Sequence, residues 1–429
     1  MLSKESSILM GVAVRACLFA SPSIEKWLID RPEVSTPQSS WTRLKEGMAL
    51  HQYNISLYDG DSFHDTPLML HLFLNLKKFS PLLFPIIFVL ADVVAALSLF
   101  SFTKLYSEYE ISEQQKNKSK FAKDSDKILI KESRAEWIPD LICMLYMFNP
   151  FLIASCIAKS TTVFNNLFVC QLFYHTMRGN AVQSTLFLAL TTYQTFYPVQ
   201  LLAPLIMHFH LKSTSPLYAT SMKITLLFTV WSLILFGASC IESCDSAFAT
   251  VKFILTVPDL TPNVGVFWYF FTEVFDHFHT FFLSVFQLNV LIFSLPLTIK
   301  LRSRPIFLMF MLCYIISTFK SYPSVADAGF CLCLMPVWSY TFNYLRFPLV
   351  TSVILLVSTL LCPIMWHLWI HAGTANANFY FATTLAYTTA HVFIMTDMLV
   401  AYLKYDFHLW EGVKIKINGK PAQIRLMKS

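Results

Sequence analysis

Long apolar runs dominate the chain, broken by a few polar stretches. The runs cover residues 7–20, 82–103, 138–158, 162–177, 181–198, 199–211, 221–243, 279–299, 305–320, 325–345, 347–370 and 379–403. Many approach the roughly 20 residues that a helix needs to cross the hydrocarbon core of a bilayer. In lipid the backbone must satisfy its own hydrogen bonds within each segment, so such runs are helices. The pattern predicts an all-α, polytopic membrane protein with about 12 transmembrane helices. The runs at 162–177, 199–211 and 305–320 are too short to span without tilt or a thin patch of bilayer.

Three polar stretches stand out. The first, 21–80, follows the first apolar run directly. Within it Trp41, Leu44 and Met48 share one helical face, which predicts an amphipathic helix lying in the membrane interface. The second, 104–137, mixes Lys, Glu, Asp, Gln and Ser and reads as a mobile linker. The third is the tail 404–429, where Val413 to Ile417 alternates before Asn418-Gly419, a hairpin pattern. No repeat is visible, so residues 1–429 read as a single multi-pass membrane domain.

Charge orients this arrangement. With a cytosolic N terminus and strict alternation, most of the 32 Lys and Arg fall on the cytosolic side. They include Lys4, the group from Lys104 to Arg134, Arg178, Arg346 and the tail after Lys404. The positive-inside rule then places both termini in the cytosol and makes 21–80 a first lumenal loop. A composition of 55% hydrophobic and only 14% charged residues excludes an ordinary soluble protein. The ten cysteines show no C-x-x-C spacing, so no zinc site is expected, though Cys240 and Cys244 can approach each other. There is no P-loop, G-x-S-x-G or H-E-x-x-H motif. Nothing implies a metal, another cofactor or a nucleic-acid partner.

Polar residues near the expected lumenal ends are the candidates for chemistry. Asn54-Ile-Ser56 is an N-glycosylation sequon in the first loop, whereas Asn117-Lys-Ser119 falls on the cytosolic side. His64 and Asp65 suit a general base or a headgroup contact; equally, Asp65 or Thr66 caps a helix that Pro67 begins. Lys159, Asn165 and Asn166 form either a site at membrane depth or a polar hairpin turn. The stretch from Val257 to His279 offers an aromatic belt whose apolar face can line an acyl chain. His277 and His279 would there meet a phosphate or a sugar hydroxyl. Lys320 and Asp327 pair across a turn or reach a ligand phosphate. Asn376 and Asn378 follow Trp366 and Trp369 in a loop that can bind sugar or a partner subunit. On the cytosolic side Lys212, Lys223, Lys300, Arg302 and Arg304 can hold anionic lipid headgroups or merely signal topology.

Several odd strings together carry a resemblance. They are Ser39-Ser-Trp41, Glu46-Gly47, Phe63-His-Asp-Thr-Pro-Leu68, Phe148-Asn-Pro150, Ala158-Lys-Ser-Thr161, Phe319-Lys-Ser-Tyr-Pro323 and Trp366-His-Leu-Trp-Ile370. The chain resembles the PIG-U family, the U subunit of the glycosylphosphatidylinositol (GPI) transamidase. The resemblance implies a non-catalytic, multi-pass subunit of the endoplasmic reticulum membrane. Its partners would be the caspase-like catalytic subunit PIG-K, together with PIG-S, PIG-T and the GPI anchor-attachment subunit. The implied role is to bind and present the GPI lipid and to hold the assembly that attaches GPI anchors to protein C termini.

The resemblance also implies a GT-C-like fold and raises an alternative, a lumenal mannosyltransferase using dolichyl-phosphate-mannose. Such enzymes carry an acidic pair in the first lumenal loop, which aligns here near Thr36 to Ser39, where no carboxylate stands. Glycosyl transfer needs a carboxylate to activate the acceptor or to hold a metal. Asp30 and Glu33 are the nearest substitutes in sequence. For the GPI contact itself the expectation falls on Phe275, His277, His279, Phe281 and Phe282, which combine acyl packing with headgroup donors.

Overall fold

The structure, a computed structural model, describes residues 2–240, 244–413, 416–417 and 420–421. Every apolar run forms helix. The long ones are Leu83–Asn117, Leu217–Ser239, Pro348–Ile370 and Ala377–Glu411. Among the described residues, six helical stretches are long and apolar enough to cross a membrane, or up to eight if each bent pair is one span. The gap between this count and the expected one has a physical source. Thr162–Met177, Ala181–Thr195 and Pro305–Phe319 are helices of only 16, 15 and 15 residues. At 1.5 Å per residue they reach about 23 Å, short of a core of about 30 Å. Pro305–Phe319 is also buried along almost its whole length, so it fills the centre of the bundle and does not face lipid.

Proline sets many helix starts. Pro22, Pro67, Pro150, Pro305 and Pro348 each stand in the first turn, where the missing N–H costs nothing. Ser133–Phe148 and Pro150–Ile157 bend by 46° at Asn149. The Asn149 side chain caps the second helix by accepting from Phe151 N (2.9 Å) and donates to Gly329 O (3.2 Å). Lys4–Phe19 and Pro22–Ile29 meet at 90°.

Three helices are tied together inside the bundle by charge. Arg15 Nε donates to Asp92 Oδ2 (2.8 Å) and its Nη1 to Met147 O (2.8 Å). Tyr146 donates to Asp92 Oδ1 (3.3 Å). Asp397 accepts from the backbone N–H of Arg346 and Phe347, closing the turn before Pro348–Ile370. Arg15 and Asp92 thus neutralise each other inside the protein, and Asp397 is held by backbone donors.

Loop contacts sort into two groups. On one face Thr161 N donates to Ser39 O, Val325 N to Glu33 O and Thr250 Oγ1 to Asp65 O. On the other, Ala122 N donates to Leu409 O and Arg304 pairs with Asp406. We call these the polar-loop face and the basic face.

Three expectations about the polar stretches change. The amphipathic helix forms as Trp41–Gln52, with Trp41, Leu44, Gly47 and Met48 buried. That face packs on protein: Trp41 lies 5.4 Å from the Phe73 ring, 5.1 Å from Phe84 and 6.1 Å from Phe88. The expected linker at 104–137 is largely helical, because Leu83–Asn117 runs through it and Ser133–Phe148 begins before its end. Glu110 and Gln114 are buried there, and Gln114 bridges Tyr405 Oη (2.8 Å) and Ile130 N (2.9 Å). In the tail, Ala377–Glu411 extends well past 403, and Lys416–Ile417 then pairs antiparallel with Lys420–Pro421. The turn residues Asn418 and Gly419 and the side chain of Cys244 lie outside the described residues, and with them the turn and the Cys240–Cys244 pairing.

Candidate functional site: a closed polar pocket under the first loop

The first polar stretch folds back over the bundle and closes a pocket. Thr36 and Ser39 form a tight turn, hydroxyl to hydroxyl at 2.9 Å. Ser39 Oγ then accepts from Ser160 Oγ (3.1 Å), and Gln38 Nε2 donates to Gln194 O (2.6 Å). Gln194 Nε2 in turn donates to Thr161 O (3.0 Å). Asp65, Thr162, Asn165, Thr195, Lys320 and Tyr322 complete the lining, and the cavity left is only about 10 Å³. That is room for about one water. The positions where a paired carboxylate would align therefore do lie in a polar pocket, but hydroxyls line it there.

Asp65 is the one carboxylate of that lining, and it is 3% exposed. Its Oδ1 accepts from Thr66 N (2.7 Å), whereas Oδ2 has no partner. Thr66 occupies the N-cap position of Pro67–Phe79 without a side-chain capping bond. Burial pushes the Asp65 carboxyl up from an ordinary 3.8 to about 6, against the hydrogen bonds that favour its charge. A carboxyl raised in this way holds its proton in the folded state after the unfolded chain has lost it. Its contribution is fully present below the ordinary value and is lost as pH rises from about 4 to about 6. The stability gap between D65N and the parent should be small at pH 4. It should open to about 3 kcal/mol in favour of D65N by pH 7, measured as thermal unfolding across that range.

His64 faces away from the pocket. Its ring stacks on Phe253 at 3.7 Å, and Phe253 stacks on Tyr322 at 4.8 Å. Burial, and then the Arg43 charge beside it, lower its pKa. Its slope with pH is opposite in sign to that of Asp65: burial as a neutral ring favours the fold as pH rises. Outside it an open groove of about 1170 Å³ runs along 54–61 and 246–258, with Asn54 exposed on its rim. Arg43 ties the groove floor together through Asp259 Oδ2 (2.5 Å) and Asp61 O (3.0 Å).

The other polar candidates resolve into internal partners. Lys159 sits at φ 54° at the hairpin turn, bonds Glu25 and lies over the Trp41 ring. Asn165 accepts from Thr191 (2.5 Å), and Asn166 reaches Ala326 O (3.5 Å). Lys320 donates to Asp327 Oδ1 (2.8 Å), whose second oxygen closes a capping box with Ser324. Asn376 caps the last long helix, and Asn378 accepts from Tyr269.

The aromatic segment is separate from the pocket, on the outer wall. Phe275 and Phe281 are 79% and 63% exposed, and His277 is exposed beside them. Phe282 turns inward onto Phe270 (5.1 Å), and His279 contacts Phe271 (5.1 Å). On the basic face Lys223, Lys300 and Arg302 are exposed. Arg304 departs from that group: it lies 3.2 Å from Asp406 and 3.7 Å from Glu110, so its charge is spent inside the protein. Lys212 donates to Met177 O (3.2 Å). Neither Gln194 nor Arg43 stands out in the sequence, and the partner of Arg43, Asp259, is 216 residues away.

Comparison with known proteins decides the family. The family model "PIG-U: GPI transamidase subunit PIG-U" matches residues 9–387. The chain belongs to the PIG-U family. It is 37% identical to the GPI-anchor transamidase component PIGU of Cricetulus griseus and 36% identical to that of Homo sapiens, each over 98% of both chains. The GPI transamidase component GAB1 of Saccharomyces cerevisiae is 32% identical over 90% of this chain and 91% of its own. The PIG-U match takes in the closed pocket, the aromatic wall and the Asn376 cap, and stops before the tail.

Proposed function

We propose that this chain is a non-catalytic subunit of the GPI transamidase in the endoplasmic reticulum membrane. Its polar-loop face lies in the lumen and both termini lie in the cytosol. It holds the GPI lipid and presents it to the caspase-like subunit PIG-K, beside PIG-S, PIG-T and the anchor-attachment subunit. The observation that carries the non-catalytic reading is the closed pocket. Where a GT-C-like mannosyltransferase needs a carboxylate and an open acceptor site, this chain has Thr36 and Ser39 around room for about one water. Asp65 is a lone carboxylate there, and Glu33 is held by Arg31 at 2.8 Å.

The lipid would meet the outer wall. Phe275 and Phe281 offer apolar surface, and His277 a donor, on one exposed edge. Phe282 supports this edge from behind. Lys223, Lys300 and Arg302 remain available for anionic headgroups on the cytosolic side.

Two measurements test the reading. Cells lacking the chain should accumulate complete GPI lipids and unprocessed precursor proteins; incompletely mannosylated GPI in their place would turn the assignment to mannosyl transfer. The variant Phe275→Ala/Phe281→Ala should lower anchor attachment at least about tenfold, since each buried Phe contributes roughly 1.5–3 kcal/mol. PIG-K and PIG-T should still co-purify with it. Unchanged attachment would remove this edge from the lipid site.

A further inference from the structure

A second lipid-shaped space lies along the last two long helices, nearer the basic face. An apolar cleft of about 450 Å³ opens sideways between Pro348–Ile370, Ala377–Glu411, Val325–Leu334 and the Pro150 bend. Its walls include Pro150, Leu332, Met335, Leu355, Ile394 and Met398. Along Pro348–Ile370 the lining runs from Pro348 to Leu360, a rise of about 18 Å. Half of a hydrocarbon core is about 15 Å. The cleft therefore reaches from the basic face to about mid-membrane, the depth of one leaflet.

Its shape suits a lipid chain. The lining is almost wholly apolar and follows one helix for about 18 Å, as a long groove open along one side. An extended hydrocarbon chain matches that shape; a partner's transmembrane helix laid over the groove is the competing occupant.

Charge selects the headgroup. Arg346 stands at the end of the cleft on the basic face, where its backbone N–H is bound by Asp397, and its side chain is exposed. Lys404 lies two helical turns beyond Asp397 on the same side of Ala377–Glu411. Among the described residues neither cation takes part in an ion pair. The Asp397 carboxylate is already satisfied by the N–H groups of Arg346 and Phe347.

We propose that this cleft binds one acyl chain of an anionic glycerophospholipid of the basic-face leaflet, with its phosphate held between Arg346 and Lys404. The site shares no residue with the proposed GPI contact.

Photo-crosslinking tests the proposal in the assembled complex, reconstituted in nanodiscs. The probes are phosphatidylserine and phosphatidylcholine, each with a diazirine at mid-chain. Phosphatidylserine should label peptides covering 351–360 and 394–398, and phosphatidylcholine should label them at least about tenfold less. Arg346→Glu/Lys404→Glu should remove that preference. Ser352→Trp/Leu356→Trp, which fills the cleft from its open side, should abolish labelling by both probes. Equal labelling by the two lipids in the parent protein would overturn the headgroup assignment. No labelling of an assembled complex would overturn the site, because another subunit then covers it. If a variant does not assemble, the comparison of the two probes on the parent protein still decides.

Discussion

Arg15→Leu should destabilise the chain by about 3–5 kcal/mol, the range for removing one partner of a buried ion pair. Asp92 would be left as a buried carboxylate with only Tyr146, at 3.3 Å, and the Cys156 thiol beside it. Both members of the pair are essentially without solvent contact (0% and 1%), so no water can take over the lost bond. Three helices meet at this point, Lys4–Phe19, Leu83–Asn117 and Ser133–Phe148, and the Arg15 bond to Met147 O would go as well. Gly11 marks how closely the two helices approach here: a Cβ on it would lie 2.9 Å from Met147 Cβ. The discriminating measurement is a double variant. Arg15→Leu/Asp92→Leu leaves no orphaned charge and should recover most of the loss in thermal stability. If the double variant is as unstable as the sum of the single ones, the pair is not the source of the cost.

Trp41→Ala should have an effect of the same order, about 3–5 kcal/mol, through a different mechanism. The indole fills the space between Phe73, Phe84 and Phe88. It also forms part of the floor for Lys159, whose ammonium lies 5.4 Å from the ring. Loss of the ring loosens the first loop where it is held to the hairpin turn at 158–162. Residues 53–62 should then become cleavable under limited proteolysis of the assembled complex, while the bundle stays intact. Wild-type protease resistance would show that other contacts hold the loop.

Much of this was legible in the sequence. Apolar runs located the helices, because in lipid a run of the right length has one stable form. The face carrying Trp41, Leu44 and Met48 was read correctly, and only its covering was not. Period tells which residues share a face; it does not tell whether lipid or protein lies opposite. The stretch at 104–137 failed for a related reason. Its polar composition looks solvated, but Gln114 is bound by Tyr405, from a helix that begins at Ala377. The lack of a carboxylate from Thr36 to Ser39 could be read directly. The closure of the pocket could not, since it depends on Gln194 and Thr161 arriving from elsewhere in the chain. Arg304 was grouped with Lys300 and Arg302 by spacing, yet one step around a helix start turns it inward to Asp406.

The last long helix has a consequence of its own. Ala377–Glu411 has 35 residues, so it is a stiff rod of about 50 Å. One end is fastened through Asn378 to Tyr269, next to the aromatic wall, and the other through Asp406 to Arg304. Between them Asp397 holds the turn that shapes the apolar cleft. A rod fastened at both ends cannot slide at one without sliding at the other. A ligand that shifted it along its axis would change the affinity of whatever touches it elsewhere, and by reciprocity the reverse would hold to the same degree.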